Sequence, residues 1–180
     1  MTALARSLLV GVFVLIQAGG AFAQEAQSPA LAKQLAAALD AAKLDSIAAK
    51  DPAEPGVYVA ALYFPGSELL VVSAKYAAPQ LLDEKLGSKA YRDVYIDLNS
   101  ASEPDTKAFI EDMGANGLKA KRDGDDPFDT WEMAGKRVAF DSDWKKQKMS
   151  EQDYMKAFGE ADQRYSQILT ALLARAKNPT

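Results

Sequence analysis

Two apolar runs, four residues apart in the middle of the chain, constrain its fold more than any other feature. Val57 to Phe64 reads VYVAALYF, and Leu69 to Tyr76 reads LLVVSAKY. Both are rich in the β-branched and aromatic residues that suit a pleated surface. Gly56 bounds the first run, and Pro65-Gly66 opens the short connection that ends at Glu68. This pattern predicts a β-hairpin. Most positions of both runs are apolar, so both faces of the hairpin are expected to be covered.

Helical patterns lie on either side. Ser28 and Pro29 read as an N-cap followed by proline at the first helical position. Leu31, Leu35, Ala38, Leu39 and Ala42 then draw an apolar stripe at three- and four-residue spacing. Asp51-Pro52 stops the run. The expectation is a helix over Pro29 to Lys50 and an extended linker at Pro52 to Gly56. Ser150, with Asp153 three residues later, approximates a capping box. From there Tyr154, Phe158, Ala161, Tyr165, Ile168, Leu169, Leu172 and Leu173 keep the helical period, predicting a helix of about 25 residues, or about 38 Å.

The segments between are shorter. Pro79 to Leu86 is expected to form a short helix closed by Gly87. Val94 to Leu98 and Thr106 to Asp112 are strand candidates, with a turn at Gly114 to Gly117. Ala120 to Thr130 is polar and turn-prone, and one or two short strands are expected around Gly135. This order predicts a single α+β domain: a mostly antiparallel β-sheet or split barrel flanked by an N-terminal and a long C-terminal helix.

Residues 1–23 have the features of a signal peptide. Arg6 supplies a positive charge, Leu8 to Ile16 is a compact apolar run, and Ala21-Phe22-Ala23 fits the small-x-small cleavage pattern. The apolar run is too short for a membrane-spanning helix, which needs about 20 residues. The mature domain is expected at 24–180, exported to a periplasmic or secreted destination, with no transmembrane segment. Removing Arg6 takes the formal charge from −4 to −5. That acidic balance opposes nucleic-acid binding. The basic stretch from Lys119 to Lys148 is interleaved with acids, so its fields largely cancel.

The chain of 180 residues has no His and no Cys. This excludes a Ser-His-Asp triad, a cysteine nucleophile, a Cys/His zinc site and disulfides. The remaining candidates are weaker. Asp123, Asp125, Asp126, Asp129 and Glu132 offer calcium-like oxygens, but Pro127 and Phe128 occupy the wrong places for an EF-hand loop. Gly114-Ala115-Asn116-Gly117 mimics a GxxG loop without basic surroundings, and a tight turn using Gly and Asn at positive φ accounts for it better. Glu111-Asp112 should point to opposite faces of a strand, and Asp141/Asp143 flank a turn, so neither resembles a glycosidase pair. Phe128, Trp131, Phe140 and Trp144 suggest a local aromatic cluster, read first as core packing and second as a pocket wall.

Ser73 and Lys75 share one face of the second strand, where a hydroxyl donor and an ammonium could hold a phosphate. The succession LLVVSAKY, LLDEKL and YRDVYIDL, preceded by VYVAALYF, resembles the core of the FMN-binding split-barrel proteins, the pyridoxamine-phosphate-oxidase-like group, over about Val57 to Asp112. The resemblance implies a split barrel, FMN as cofactor, Ser73 and Lys75 on its phosphate, and a homodimer as one assembly to test. The sequence lacks the further Arg and Lys contacts common on the first strands of that group, and it has an export address. The leading expectation is therefore a non-enzymatic, exported, soluble domain that binds a small molecule or a protein partner. The alternative is a flavin-binding oxidoreductase-like protein.

Overall fold

The computed structural model describes residues 26–53, 55–64, 68–75, 94–97, 108–121, 124, 128–133 and 136–178. The expected signal peptide and the expected short helix at Pro79 to Leu86 lie outside them.

The central hairpin is present. Strands β2 (Val57–Phe64) and β3 (Glu68–Lys75) pair antiparallel along their whole length, from Val57 opposite Lys75 to Phe64 opposite Glu68. β1 (Ser46–Lys50) adds to the free side of β2, and β4 (Val94–Asp97) to the free side of β3, both antiparallel. β5 (Ala108–Glu111) lies parallel to β4, with a register shift between Tyr95 and Ile96. β6 (Thr130–Met133) and β7 (Lys136–Ala139) complete an antiparallel end. The seven strands stand in sequence order, with β1 and β7 at the edges, so among the described residues the ladder is an open sheet.

The register explains where the core sits. Ile47, Ala61, Val71, Ile96, Ile110, Trp131 and Val138 are successive partners and form one row across all seven strands. Alternation sends Ile47, Ala61, Val71, Ile110, Trp131 and Val138 to the same side. Ile47, Ala61, Val71, Ile110, Trp131 and Val138 are buried together in one hydrophobic core. On the other side Ala48 and Ala60 are buried, but Tyr58, Leu62 and Leu70 are only half-buried, so the described residues show no second layer over the hairpin. At the β7 edge, the Gln147 side chain takes the place of a neighbouring strand. Its Oε1 accepts from the Ala139 N–H at 2.8 Å, and its Nε2 donates to the Ala139 carbonyl.

Both helices cover the core side of the sheet. α1 (Ser28–Ala42) contributes Ala32, Leu35 and Leu39, and α2 (Glu151–Lys177) contributes a long stripe from Tyr154 to Ala176. The helices pack on one another as well as on the sheet. The apolar stripes read from the sequence are these contact faces. The helices therefore do not stand on opposite sides of the sheet; they form one layer.

The first helix is shorter than the sequence predicts. It stops at Ala42, where Lys43 adopts a left-handed conformation (φ +56°) and the Leu44 N–H bonds back to Leu39. Residues 46–50, expected to be helical, form β1. Alanine favours helix locally, but Ile47, Ala48 and Ala49 pair with Ala61, Ala60 and Val59 of the apolar β2. Sheet pairing and burial override the propensity. The start differs too: Gln27, not Ser28, is the N-cap, and it makes no side-chain capping bond.

The long helix begins as predicted. The Asp153 N–H donates to Ser150 Oγ at 3.0 Å, and that hydroxyl donates to the Asp153 carboxylate at 2.7 Å. Glu151 and Asp153 lie at its positive end, and Arg175 and Lys177 at its negative end. Ser150→Ala should lower stability by about 1 kcal/mol in chemical denaturation. A change below about 0.3 kcal/mol would show that packing alone fixes this terminus.

Candidate functional site

The loop after β5 is organised by two buried carboxylates. Asp112 has no exposed surface and Asp129 has 4%. Asp112 accepts the N–H groups of Asn116 (3.2 Å) and Gly117 (2.6 Å), and the Tyr165 hydroxyl donates to it from α2 at 3.1 Å. Asp129 accepts the N–H groups of Met113 (2.9 Å) and Lys119 (2.7 Å). Two side chains thus take four backbone donors from one short loop. Without them those donors would have to find other partners or go unpaired on burial.

The loop in turn docks the start of α1. The Leu118 N–H donates to Ser28 Oγ at 2.9 Å. Gly117 (φ +84°) lies so close to Pro29 that a Cβ there would fall 2.2 Å from its Cα and N atoms. From the other side, Asp162 of α2 accepts the N–H groups of Gln27 (2.8 Å) and Ser28 (3.0 Å). The cap missing from α1's own sequence is supplied by a residue of the last helix. Gly114 and Ala115, rather than Gly and Asn116, take positive φ with Gly117 in this turn.

Burial sets the electrostatics. The Asp112 carboxyl is pushed up to about 7, first by loss of solvent and then by the charge of Asp129; its backbone and Tyr165 hydrogen bonds oppose this. Asp129 is pushed up to about 6 by burial, against the Lys119 and Met113 N–H groups and the Lys119 charge. The Tyr165 phenol is raised well above its ordinary value by burial, and next by Asp112. Proton retention by such carboxyls is the usual response to a low-dielectric site.

The other candidate acids serve local structure. Glu111 lies at the end of β5, where the Thr130 hydroxyl donates to it at 2.6 Å and Arg137 pairs with it. It and Asp112 thus have separate partner sets, as strand alternation predicts. Asp141 accepts the Asp143 N–H at 2.9 Å, and Asp143 accepts the Lys146 N–H at 3.2 Å. That N–H bond, partly offset by desolvation and helped by the Lys146 side chain, holds Asp143 below its ordinary value. Asp51 pairs with Arg164 of α2 and accepts the Ala53 N–H. Asp123, Asp125 and Asp126 lie outside the described residues, and Asp129 is committed to the loop. Among the described residues no cluster of three or more metal-ligating side chains occurs.

Of the predicted aromatic cluster, Phe140 is fully buried, edge-on to Tyr154 (5.7 Å) and Phe158 (5.2 Å). Trp144 meets Tyr154 at 6.0 Å, while Phe128 is exposed. Core packing is the role these contacts fit. Ser73 stands opposite Val59 and Val94, and Lys75 opposite Val57. The side chains of Ser73 and Lys75 lie outside the described residues. A groove of about 840 Å³ runs along α2 past Gly159, Gln163, Ser166, Gln167 and Thr170, with Gln27 and Pro52 also on its walls.

No protein-family model, no curated protein and no solved structure matches the chain. Among the described residues, no helix is long and apolar enough to cross a membrane.

Sequence reasoning missed the Asp112–Asp129–Tyr165 cluster and the Asp162 cap. The only local hint was an aspartate just before a glycine-rich turn, an arrangement suited to accepting turn N–H groups.

Proposed function

We propose that the chain is an exported, non-enzymatic binding or interaction domain. One observation carries this reading. Each of the buried carboxylates at Asp51, Glu111, Asp112, Asp129 and Asp162 is engaged inside the fold, by backbone N–H groups, by hydroxyls or by arginine. Acid–base or covalent chemistry instead needs a group within reach of a bound substrate. With His and Cys missing from the composition, few residue types remain for it. The groove along α2, lined by amides, hydroxyls and small side chains together with Lys156, Phe158, Glu160 and Asp162, is the binding surface this reading puts to the test.

The test is turnover by purified protein. Ester, glycoside and phosphomonoester substrates should show no hydrolysis above the uncatalysed rate. Hydrolysis abolished by a single Asp or Ser substitution would overturn the reading. Export is tested separately, by finding the mature N-terminus at Gln24 in an extracytoplasmic fraction.

A second reading is a split-barrel protein carrying FMN. What favours it is the antiparallel β2–β3–β4 arrangement, with Ser73 and Lys75 sharing one face of β3 by alternation. On this reading the protein is yellow as purified from its own source, added FMN raises its Tm, and Lys75→Ala weakens binding by about 1.5 kcal/mol, the scale of one charge-assisted hydrogen bond. Colourless protein with an unchanged Tm removes it.

A further inference from the structure

Asn116-Gly117 is the one Asn-Gly pair in the chain; Asn99 precedes Ser100, and Asn178 precedes Pro179. Asparagine followed by glycine is the linkage most open to spontaneous deamidation, because no Cβ hinders the attacking nitrogen. The fold gives the two residues contrasting settings. Asn116 is exposed, and its Nδ2 lies 3.2 Å from where a Cβ on Gly114 would stand, so the amide is folded back over Gly114. Gly117 is buried, its N–H donates to Asp112 at 2.6 Å, and its open side lies against Pro29. We propose that Asn116 is a site of spontaneous deamidation that Asp112 holds in check, so that the residue converts only when the 113–119 loop lifts off the start of α1. This chemistry is independent of any bound partner.

It needs water and a solvent base, and nothing is oxidised or reduced. The base takes the proton from the Gly117 nitrogen, which attacks Asn116 Cγ. The N–Cγ bond forms, the Cγ–Nδ2 bond breaks, and ammonia leaves with a proton returned from solvent. Water then opens the cyclic imide. Attack at Cγ gives aspartate. Attack at the main-chain carbonyl carbon gives isoaspartate, in which the chain runs through Cβ and Cγ. Either product carries a carboxyl in place of the amide, and so one more negative charge.

The closed loop opposes the first step. The bond to Asp112 retains the proton that has to leave. A second bond, from the Asn116 N–H to the other Asp112 oxygen at 3.2 Å, fixes the residue that carries the electrophile. Pro29, and the Leu118 N–H bond to Ser28 Oγ at 2.9 Å, keep the Gly117 peptide plane from turning toward Cγ. Ring closure therefore waits for a local opening. A bulkier, slower-reacting residue is not available at this position, since its Cβ would fall 2.2 Å from Pro29. The close approach that demands glycine thus creates the labile linkage and also restrains it. Isoaspartate puts one more carbon between the two amides that Asp112 accepts, and its new carboxylate stands beside that acid. The loop then cannot reseat, and the change is irreversible.

The test is peptide mapping by mass spectrometry of purified protein held at pH 8 and 37 °C for several days. Conversion at Asn116 should be at least about tenfold slower than in a synthetic peptide covering Met113 to Lys119, and urea-unfolded protein should match the peptide. The ratio of the peptide and folded rates should agree with the hydrogen-exchange protection factor of the Gly117 amide to within about threefold, a reading that requires no variant. Asp112→Ala should speed conversion at least fivefold while α2 amides around Leu169 stay protected. Asn116→Gln should abolish it. The isoaspartyl fraction, separated by anion exchange, should unfold at least about 3 °C below the unconverted protein. Folded protein converting at the peptide rate would overturn the proposal. So would Asp112→Ala converting more slowly than wild type, the mark of Asp112 acting as the base. Unfolded protein that stays unconverted, or isoaspartyl protein with an unchanged Tm, would do the same.

Discussion

Gly117→Ala is expected to lower stability by about 3 kcal/mol or more, a fall of roughly 6–12 °C in Tm for a chain this size. Two effects add. Alanine at φ +84° is strained by about 1 kcal/mol. Its Cβ would also fall 2.2 Å from the Cα and N atoms of Pro29, which are backbone and cannot rotate away. Overpacking of this kind adds about 1–3 kcal/mol, and it forces the 113–119 loop off the start of α1. Two other glycines separate these contributions. Gly124 (φ +58°) has nothing within 4 Å of a built Cβ, so Gly124→Ala should cost only the strain, about 1 kcal/mol. Gly159 lies within α2, also with nothing near, so Gly159→Ala should gain about 0.5–1 kcal/mol. Thermal and urea unfolding of the three variants check the ranking. If Gly117→Ala cost no more than Gly124→Ala, the close approach to Pro29 would be wrong.

Asp162→Ala is expected to be nearly as damaging, at about 2–3 kcal/mol. Its carboxylate holds the N–H groups of Gln27 and Ser28, and Ser28 has no exposed surface. A buried donor left without a partner costs about 1–3 kcal/mol. Gln27 contributes no capping bond of its own, so nothing local replaces the lost acceptor. Asp162→Asn keeps one acceptor oxygen and should recover about half of the loss. Urea denaturation gives the magnitude. Hydrogen exchange in the first turn of α1 locates it, and acceleration there with α2 unchanged is the expected pattern. A loss under about 0.5 kcal/mol would mean that α1 is held by packing alone.

The parts of the fold legible in the sequence are those with local causes. The apolar runs around Pro65-Gly66, the Ser150–Asp153 cap and the stripe from Tyr154 onward each carry their signal within one element. The expected strand at Val94 to Leu98 is observed as Val94–Asp97, and that at Thr106 to Asp112 as Ala108–Glu111. The end of α1 was not legible. Its stop at Lys43 has neither glycine nor proline, and β1 is made of residues whose preference is helical until β2 pairs with them. The buried acid cluster was illegible for a different reason. Tyr165 meets Asp112 across 53 positions, and Asp162 meets Ser28 across 134, so no window of sequence contains both partners. The acid pairs weighed from adjacency, Glu111-Asp112 and Asp141/Asp143, have separate or turn-forming roles.

The contact between Asp162 and the start of α1 also governs when the molecule can become itself. The start of α1 is secured by a residue 134 positions further along the chain. A nascent chain that ends before Asp162 has no acceptor for those amides and no α2 surface to receive Leu35 and Leu39. The start of α1 thereby stays without its cap and without its packing surface until α2 has been made, so one of the contacts of greatest sequence separation is also one of the last that can form.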